Sequence, residues 1–272
     1  MFKAFSINQP KFFNFVKNRF NIKTKNGLYL TICILIVSFF TFIFINLKEF
    51  LINETALSNF DLNYLNRIQS IRTPFLNTLM SLLTHLADWQ VILFAGLSVI
   101  CILVILKKWR YVYSLIITTF IGEVIVYSLK IFIKRPGPPL RYTLLHKNDF
   151  SFPSGHSFIA VAFYGLVFYF VFKFLINKTL KTLSILIGTG LIILVGFSRI
   201  YLGVHWPSDV FASFISGIAF LTMIITFLEI DNRFNIKIIK ASITSKKFAI
   251  LSSTMIFISW FTYFVIFYLR LT

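Results

Sequence analysis

The sequence predicts an all-α membrane protein, a polytopic bundle of transmembrane helices. Hydrophobic residues make up 57% of its 272 residues, 35 residues are phenylalanine, and the mean hydropathy is +0.82. A soluble domain does not bury that much apolar surface. The apolar residues also cluster in runs of about 20, the length that crosses the hydrocarbon core of a bilayer. The net charge of +18 comes from basic residues between these runs, so they act as topology signals and no nucleic-acid partner is expected.

Seven apolar runs of spanning length follow one another along the chain. They cover residues 28–47, 88–106, 111–133, 156–177, 180–198, 209–229 and 248–269. The first run follows a basic cytoplasmic tail, residues 1–27, and is expected to remain as an uncleaved anchor. Residues 28–229 are predicted to form a six-helix core. Residues 230–272 are predicted to add a basic connection and a seventh transmembrane helix.

The distribution of Lys and Arg predicts which way the helices run. Basic residues without any acid fill the tail, and further basic clusters lie at 107–110, 173–181 and 233–247. Because cytoplasmic loops carry an excess of Lys and Arg, all four segments are expected on the cytoplasmic side. Three segments are left for the outer face: 48–87, 134–155 and 199–208.

These outer segments differ in chemistry. Residues 48–87 are predicted to include a helix that lies on the membrane, because apolar and polar residues alternate at helical spacing until Pro74 interrupts them. Three polar motifs mark the other two segments: "LKIFIKRPGPPLR" ends the third span, "SFPSGHSF" begins the fourth, and "SRIYLGVHWPSD" joins the fifth to the sixth. The motifs are therefore expected to converge at one membrane face. His85 and His146 have no partner at motif spacing and are expected to be loop or interface residues.

Phosphate-binding groups are expected in the second of these motifs. In Pro153-Ser154-Gly155-His156, a serine suited to cap a helix precedes a glycine and a histidine. The free backbone N–H groups of such a helix start point at an anion. Gly155 has no side chain and lets a phosphate come close. Ser154 and Gly155 are therefore predicted to bind phosphate.

The third motif predicts a nucleophile. His205 and Asp209 are four residues apart, so they share one side of a helix that begins near Pro207. The carboxylate of Asp209 is expected to hydrogen-bond to the imidazole of His205 and orient it. It also stabilises the positive charge on the ring as His205 attacks phosphorus.

An acid and two cations complete the predicted chemistry. His156 is expected to protonate the leaving oxygen. Lys130 and Arg199 are expected to neutralise the charge that spreads over the oxygens of the transferred phosphoryl group. This chemistry needs neither a metal ion nor another cofactor.

Together the motifs resemble those of the type 2 phosphatidic acid phosphatase superfamily, which are Lys-x6-Arg-Pro, Pro-Ser-Gly-His and Ser-Arg-x5-His-x3-Asp. Residues 153–156 match the second motif without exception. The third is matched by Ser198, Arg199, His205 and Asp209. The resemblance implies a phosphohistidine on His205 that water then hydrolyses.

The first motif is matched imperfectly. Six residues after Lys130 the chain has Gly137-Pro138, where the family has Arg-Pro. The arginine that grips phosphate in that motif is therefore missing. Arg135 or Arg141, in the same Pro- and Gly-rich loop, is expected to reach the anion instead.

The resemblance implies an enzyme that removes phosphate from a membrane lipid phosphate or diphosphate, at the outer face of a bacterial cytoplasmic (inner) membrane. Undecaprenyl diphosphate is the first expectation, because members of the family often recycle this carrier and the Lys-, Asn-, Ile- and Phe-rich composition suggests an AT-rich bacterial genome. Phosphatidic acid, phosphatidylglycerophosphate and lipid A phosphates are alternative substrates. Two other functions stay open: a phosphotransferase that passes phosphate to a lipid acceptor, and a lipid-binding membrane protein without catalysis.

Overall fold

The computed structural model describes residues 55–145 and 150–230, with a few positions between 31 and 46. These residues form helices and no strand, which confirms the predicted all-α class. Besides a 3₁₀ turn at Leu140–Tyr142, the two long ranges contain seven helices: α1 Thr55–Ser70, α2 Pro74–His85, α3 Trp89–Ile105, α4 Trp109–Ile133, α5 Gly155–Phe174, α6 Lys178–Tyr201 and α7 Pro207–Ile230. The basic tail, most of the predicted 28–47 span, His146 and the chain after residue 230 lie outside the described residues.

Four of the described helices are long and apolar enough to cross a membrane, namely α4, α5, α6 and α7. A fifth candidate span is the pair α2 and α3, which bend by 52° at their junction. The chain is therefore a multi-pass membrane protein, as its hydropathy predicts. The structure differs from the prediction at the second span, because α3 has 17 residues and qualifies only together with α2.

Local signals in the sequence set where several helices begin and end. Thr73 caps α2 by accepting a 3.2 Å hydrogen bond from the Leu76 N–H, and Pro74 occupies the first helical position. Lys134, the residue that follows the last residue of α4, adopts a left-handed backbone conformation with φ of 52° and ends the helix. Pro207 begins α7, as its fixed φ favours. These ends place the three polar motifs across helix ends and the connections beside them, rather than in the middle of a span.

Helix α5 is the central helix of the bundle. It packs against α4, α6 and α7, and a larger share of its residues is buried than in those three helices. Its core side chains include Phe158, Phe163 and Leu166. A π-helical turn, Ala160–Tyr164, lies within it, one turn below His156. The start of α5 is thereby fixed against three neighbouring helices.

Helices α1 and α2 pack on α6, and α1 also packs on α7, near the end of the bundle where the motifs lie. Arg72, between the two helices, donates hydrogen bonds to the carbonyls of Tyr142 at 2.7 Å and Tyr201 at 2.5 Å. The hydroxyl of Tyr142 donates to Asn66 in α1, and that of Tyr201 donates to Asn77 in α2, both at 2.9 Å. Helices α1 and α2 and these two loops therefore hold one another in place.

A glycine lets these two loops approach. Gly203 has φ of +72°, and a Cβ atom there would lie 1.9 Å from the Tyr142 carbonyl oxygen. Next to it, the Leu144 N–H donates a 2.9 Å hydrogen bond to the Leu202 carbonyl. Only glycine fits this backbone conformation and spacing. The loop that carries His205 is thus held against the loop that follows α4.

Candidate active site

The motif residues of four helices meet at one end of the bundle. Lys130 lies in the last turn of α4, Arg199 in the last turn of α6 and Asp209 in the first turn of α7, while His205 lies in the loop before α7. None of these four side chains has more than 9% of its surface exposed. Buried ionisable groups in a membrane protein are costly unless they are paired, and they mark functional sites. Their partners therefore indicate what the site can do.

The His205 imidazole is held by a backbone carbonyl. Its Nδ1 atom is 2.6 Å from the carbonyl oxygen of Ser151. It is 3.7 Å from Oδ2 of Asp209, which is close enough for an ion pair but too long for a hydrogen bond. This corrects the expectation that Asp209 binds the ring directly. Because a carbonyl oxygen can only accept, Nδ1 is the donor, and Nε2 carries the lone pair.

Asp209 is fully buried and has other partners. Its Oδ2 atom accepts a 3.0 Å hydrogen bond from the Trp206 N–H, and its Oδ1 atom accepts one from Nη1 of Arg135. The Arg135 Nη2 atom pairs with Oδ2 of Asp61 at 2.8 Å. Asp61, in α1, also accepts hydrogen bonds from the Ser208 N–H and hydroxyl. One arginine thus bridges two buried carboxylates, and one of the two lies beside His205.

Arg135 and Arg141 are not arranged as the expected phosphate ligands. The contacts of Arg135 hold Asp209 in place rather than present a cation to a phosphate. Arg141 is exposed, its guanidinium lies 4.8 Å from the centre of the Tyr142 ring, and Nη2 is 3.1 Å from the Tyr142 hydroxyl. Residue 137 is not crowded, since a Cβ atom on Gly137 would meet nothing closer than Ser151 Cβ at 3.9 Å. Crowding therefore does not explain why the family's arginine is absent there.

Arg199 has the features of an anion ligand. Its Nη1 atom donates a 2.5 Å hydrogen bond to the hydroxyl of Thr84 in α2. Its buried Nε atom has no hydrogen-bond partner among the described residues. Buried guanidinium N–H groups normally have a partner, and phosphate oxygens are strong ones. Arg199 is thus oriented by α2 while it keeps a donor for a ligand.

Ser154 and Gly155 have structural contacts in addition to any role toward phosphate. Ser154 is buried; its N–H donates to the Ser213 hydroxyl at 2.7 Å, and its own hydroxyl accepts from Ser157 at 2.9 Å. A Cβ atom on Gly155 would lie 3.4 Å from Val126 in α4. These two residues therefore fasten the start of α5 to α7 and α4. The backbone N–H groups of its first turn still have the position that binds anions.

His156 is paired with a carboxylate that sequence reasoning missed. Its Nε2 atom is 2.8 Å from Oδ1 of Asp88, and Oδ2 of Asp88 is 2.6 Å from Nδ1 of His85. The expectation that His85 is a plain loop or interface residue is therefore incomplete. A spacing of three residues between His85 and Asp88 was the one signal in the sequence. Nothing in it indicated a contact with His156, 68 residues further along the chain.

Comparison with known proteins shows which family this chain resembles. The family model of the PAP2 superfamily matches residues 107–233. Phosphatidylglycerophosphatase B of Bacillus subtilis is 34% identical over 176 residues, which are 61% of this chain and 82% of that protein. An undecaprenyl-diphosphatase of Sulfolobus acidocaldarius is 29% identical over 138 residues, 48% of this chain and 63% of that protein. The crystal structure of a PAP2-type phosphatidylglycerolphosphate phosphatase from Bacillus subtilis matches with a TM-score of 0.66 and 31% identity, covering 73% of this chain and 98% of that one.

Proposed function

The chain belongs to the PAP2 superfamily of membrane lipid phosphatases, and we propose that it hydrolyses undecaprenyl diphosphate through a phosphohistidine on His205. The observation that carries this mechanism is the 2.6 Å contact between His205 Nδ1 and the Ser151 carbonyl. It leaves the lone pair on Nε2, where a nucleophile needs it. The ion pair with Asp209, at 3.7 Å, favours the positive charge that the ring acquires.

The first chemical step transfers the terminal phosphoryl group to the enzyme. The Nε2 lone pair forms a bond to phosphorus, and the bond from phosphorus to the leaving oxygen breaks. Its electron pair goes to that oxygen, which takes a proton from His156. Arg199, together with Lys130 at the end of α4, offsets the negative charge on the oxygens of the phosphoryl group during its transfer.

The second step returns the enzyme to its starting state. His156, now neutral, takes a proton from a water molecule whose oxygen attacks phosphorus. The phosphorus–nitrogen bond breaks, its electron pair returns to Nε2 of His205, and inorganic phosphate leaves. Neither step requires a metal ion or another cofactor.

Two observations support a diphosphate substrate. A relative is named undecaprenyl-diphosphatase, and Gly137 leaves space where the family's first motif has an arginine. A monophosphate, phosphatidylglycerophosphate, is the second candidate, because the relative with 34% identity is named phosphatidylglycerophosphatase B. The clusters of Lys and Arg between spans support a site on the outer side of a bacterial cytoplasmic membrane.

The test is phosphate release by the purified full chain in detergent, with EDTA present. The panel contains undecaprenyl diphosphate, phosphatidylglycerophosphate, phosphatidic acid and a lipid A phosphate. We expect release, fastest from the diphosphate. Faster release from another lipid would replace the substrate assignment, and transfer of label to an added lipid alcohol would indicate a phosphotransferase. No release from any lipid would favour a lipid-binding protein.

A further inference from the structure

A carboxylate outside the three motifs contacts the proposed general acid. Asp88 lies at the bend between α2 and α3, with one oxygen on His156 at 2.8 Å and the other on His85 at 2.6 Å. Asp88 and His85 both precede residues 107–233, the range that the family model matches. All three side chains are half-buried. The α2–α3 pair therefore adds its own groups to the site.

The carboxylate of Asp88 is not used to cap its helix. Asp88 occupies the N-cap position of α3, with φ of −68° and ψ of 148°, yet its side chain makes no capping hydrogen bond. Aspartate at this position ordinarily accepts from a backbone N–H of the first turn. Asp88 contributes to the start of α3 through its backbone, because its carbonyl accepts a 3.0 Å hydrogen bond from the Ile92 N–H. The side chain is thereby left for the two histidines.

The charges around Asp88 favour its ionised form. The hydroxyl of Thr84, one turn before Asp88, accepts a 2.5 Å hydrogen bond from Nη1 of Arg199. The positive charge of Arg199 attracts Asp88 electrostatically. The start of α3 adds the positive end of a helix dipole. An anion in this position stabilises a protonated imidazole at His156.

We propose that Asp88, held by His85, is a positioning residue that orients His156 as the general acid. This inference rests on the phosphatase function proposed above. The Nε2–H of His156 donates to Asp88 throughout the reaction, and Nδ1 carries the proton that moves to the leaving oxygen. Asp88 stays ionised and takes up no proton. His85 fixes the second carboxylate oxygen, so the first stays directed at His156.

If Asp88 positions His156, its removal should affect different substrates to different extents, which a purely structural role would not predict. A proton from His156 matters most when the leaving oxygen is strongly basic, and least when it leaves readily as an anion. Loss of Asp88 should therefore slow the release of a poor leaving group far more than that of a good one. A change that only loosens the fold would slow both equally.

The test compares Asp88→Asn with the wild type on phenyl phosphate and 4-nitrophenyl phosphate, alongside the lipid that the wild type hydrolyses fastest. Asparagine keeps the N-cap preference and removes the charge. We expect kcat/KM on phenyl phosphate, which reports the first chemical step alone, to fall about 10²-fold, the low end of what a general acid contributes, and kcat/KM on 4-nitrophenyl phosphate to fall less than about fivefold. The ratio of the two rates within one preparation does not depend on how much protein is folded.

His85 provides a matched pair of variants, measured on the lipid substrate. His85→Asn keeps an N–H donor near the position of Nδ1, whereas His85→Ala removes it. We expect kcat to fall roughly tenfold in the alanine variant, with KM unchanged, and to recover to within about threefold of wild type in the asparagine variant.

The outcomes separate this inference from the proposed function. The positioning role would be overturned if Asp88→Asn slowed hydrolysis of both aryl phosphates equally, or if its kcat on the lipid equalled that of the wild type. Either result would leave the proposed phosphatase function intact. If His85→Ala and His85→Asn have the same kcat, His85 does not hold Asp88 in place. A wild-type protein that releases phosphate from none of these compounds would refute the proposed function itself.

Discussion

His205 Nδ1 lies 2.6 Å from the Ser151 carbonyl and 3.7 Å from Asp209 Oδ2. In a serine hydrolase triad, the carboxylate sets the histidine tautomer and also stabilises its charge. In the mechanism proposed above, those two tasks belong to different groups: the Ser151 carbonyl sets the tautomer, and Asp209 acts through charge. Arg135 in turn pairs with Asp209 and connects it to Asp61 in α1. The site therefore extends beyond the family motifs into α1.

Replacing the proposed nucleophile should abolish turnover. We expect His205→Ala to release no phosphate above background, because alanine has no lone pair with which to attack phosphorus. Wild-type protein quenched during turnover of a ³²P-labelled lipid should carry an acid-labile, base-stable label, and the variant should carry none. Full activity in His205→Ala would remove the covalent mechanism.

Removal of the Asp209 charge should have a smaller effect than in a hydrolase triad. The equivalent change costs about 10⁴-fold there because the histidine adopts the wrong tautomer. In this protein the Ser151 carbonyl still holds Nδ1–H, so we expect Asp209→Asn to lower kcat by roughly 10²-fold. A loss approaching 10⁴-fold would show that Asp209, and not the carbonyl, determines the tautomer. A loss below about tenfold would make Asp209 structural.

The two arginines of the outer loop should behave differently. Arg135→Ala leaves the buried carboxylates of Asp61 and Asp209 uncompensated, which should destabilise the protein by about 3–5 kcal/mol and lower its activity. Arg141→Ala is the matched control from the same loop and should leave both properties nearly unchanged, since Arg141 is exposed. The measurements are the melting temperature in detergent and kcat. Activity loss in Arg141→Ala at an unchanged melting temperature would instead make Arg141 a phosphate ligand.

Restoring the arginine of the family motif should shift the substrate preference. A Cβ atom at residue 137 meets no contact closer than 3.9 Å, so Gly137→Arg should fold. An added cation there would bind a single phosphate more tightly and occupy room for a second one. We therefore expect the ratio of monophosphate to diphosphate hydrolysis to rise about tenfold, measured on one prenyl chain. An unchanged ratio would show that residue 137 does not set the preference.

The orientation of the site can be measured with single cysteines, after Cys33 and Cys101 are replaced by serine. Leu140, exposed in the loop after α4, should react with a membrane-impermeant maleimide in intact cells once changed to cysteine. Trp109, exposed at the other end of α4, should not react until the cells are opened. Gly203 is unsuitable as a reporter because its backbone tolerates no side chain. The reverse labelling pattern would place the site in the cytoplasm.

The sequence by itself determined the class of the fold, most of the helix positions and the motif residues. A bilayer requires about 20 apolar residues for each span, so the runs ending near residues 133, 198 and 229 could be read directly. Pro207 marked a helix start and Pro74 an interruption for an equally local reason, since proline fixes φ and lacks an N–H. The motifs in turn indicated His156, Arg199, His205 and Asp209 as candidate site residues, because their residue types and spacings match the motifs of the family.

Only the tertiary structure decided which groups those side chains contact. Ser151 acts on His205 through a carbonyl that every residue has, and residue type therefore gives no signal. Asp61 reaches Arg135 across 74 residues, and Asp88 reaches His156 across 68. Such contacts depend on how helices pack and where loops cross, which local periodicity does not encode. The physical reason is that a buried charge needs a partner nearby in space, and the chain can supply that partner from any helix that packs beside it.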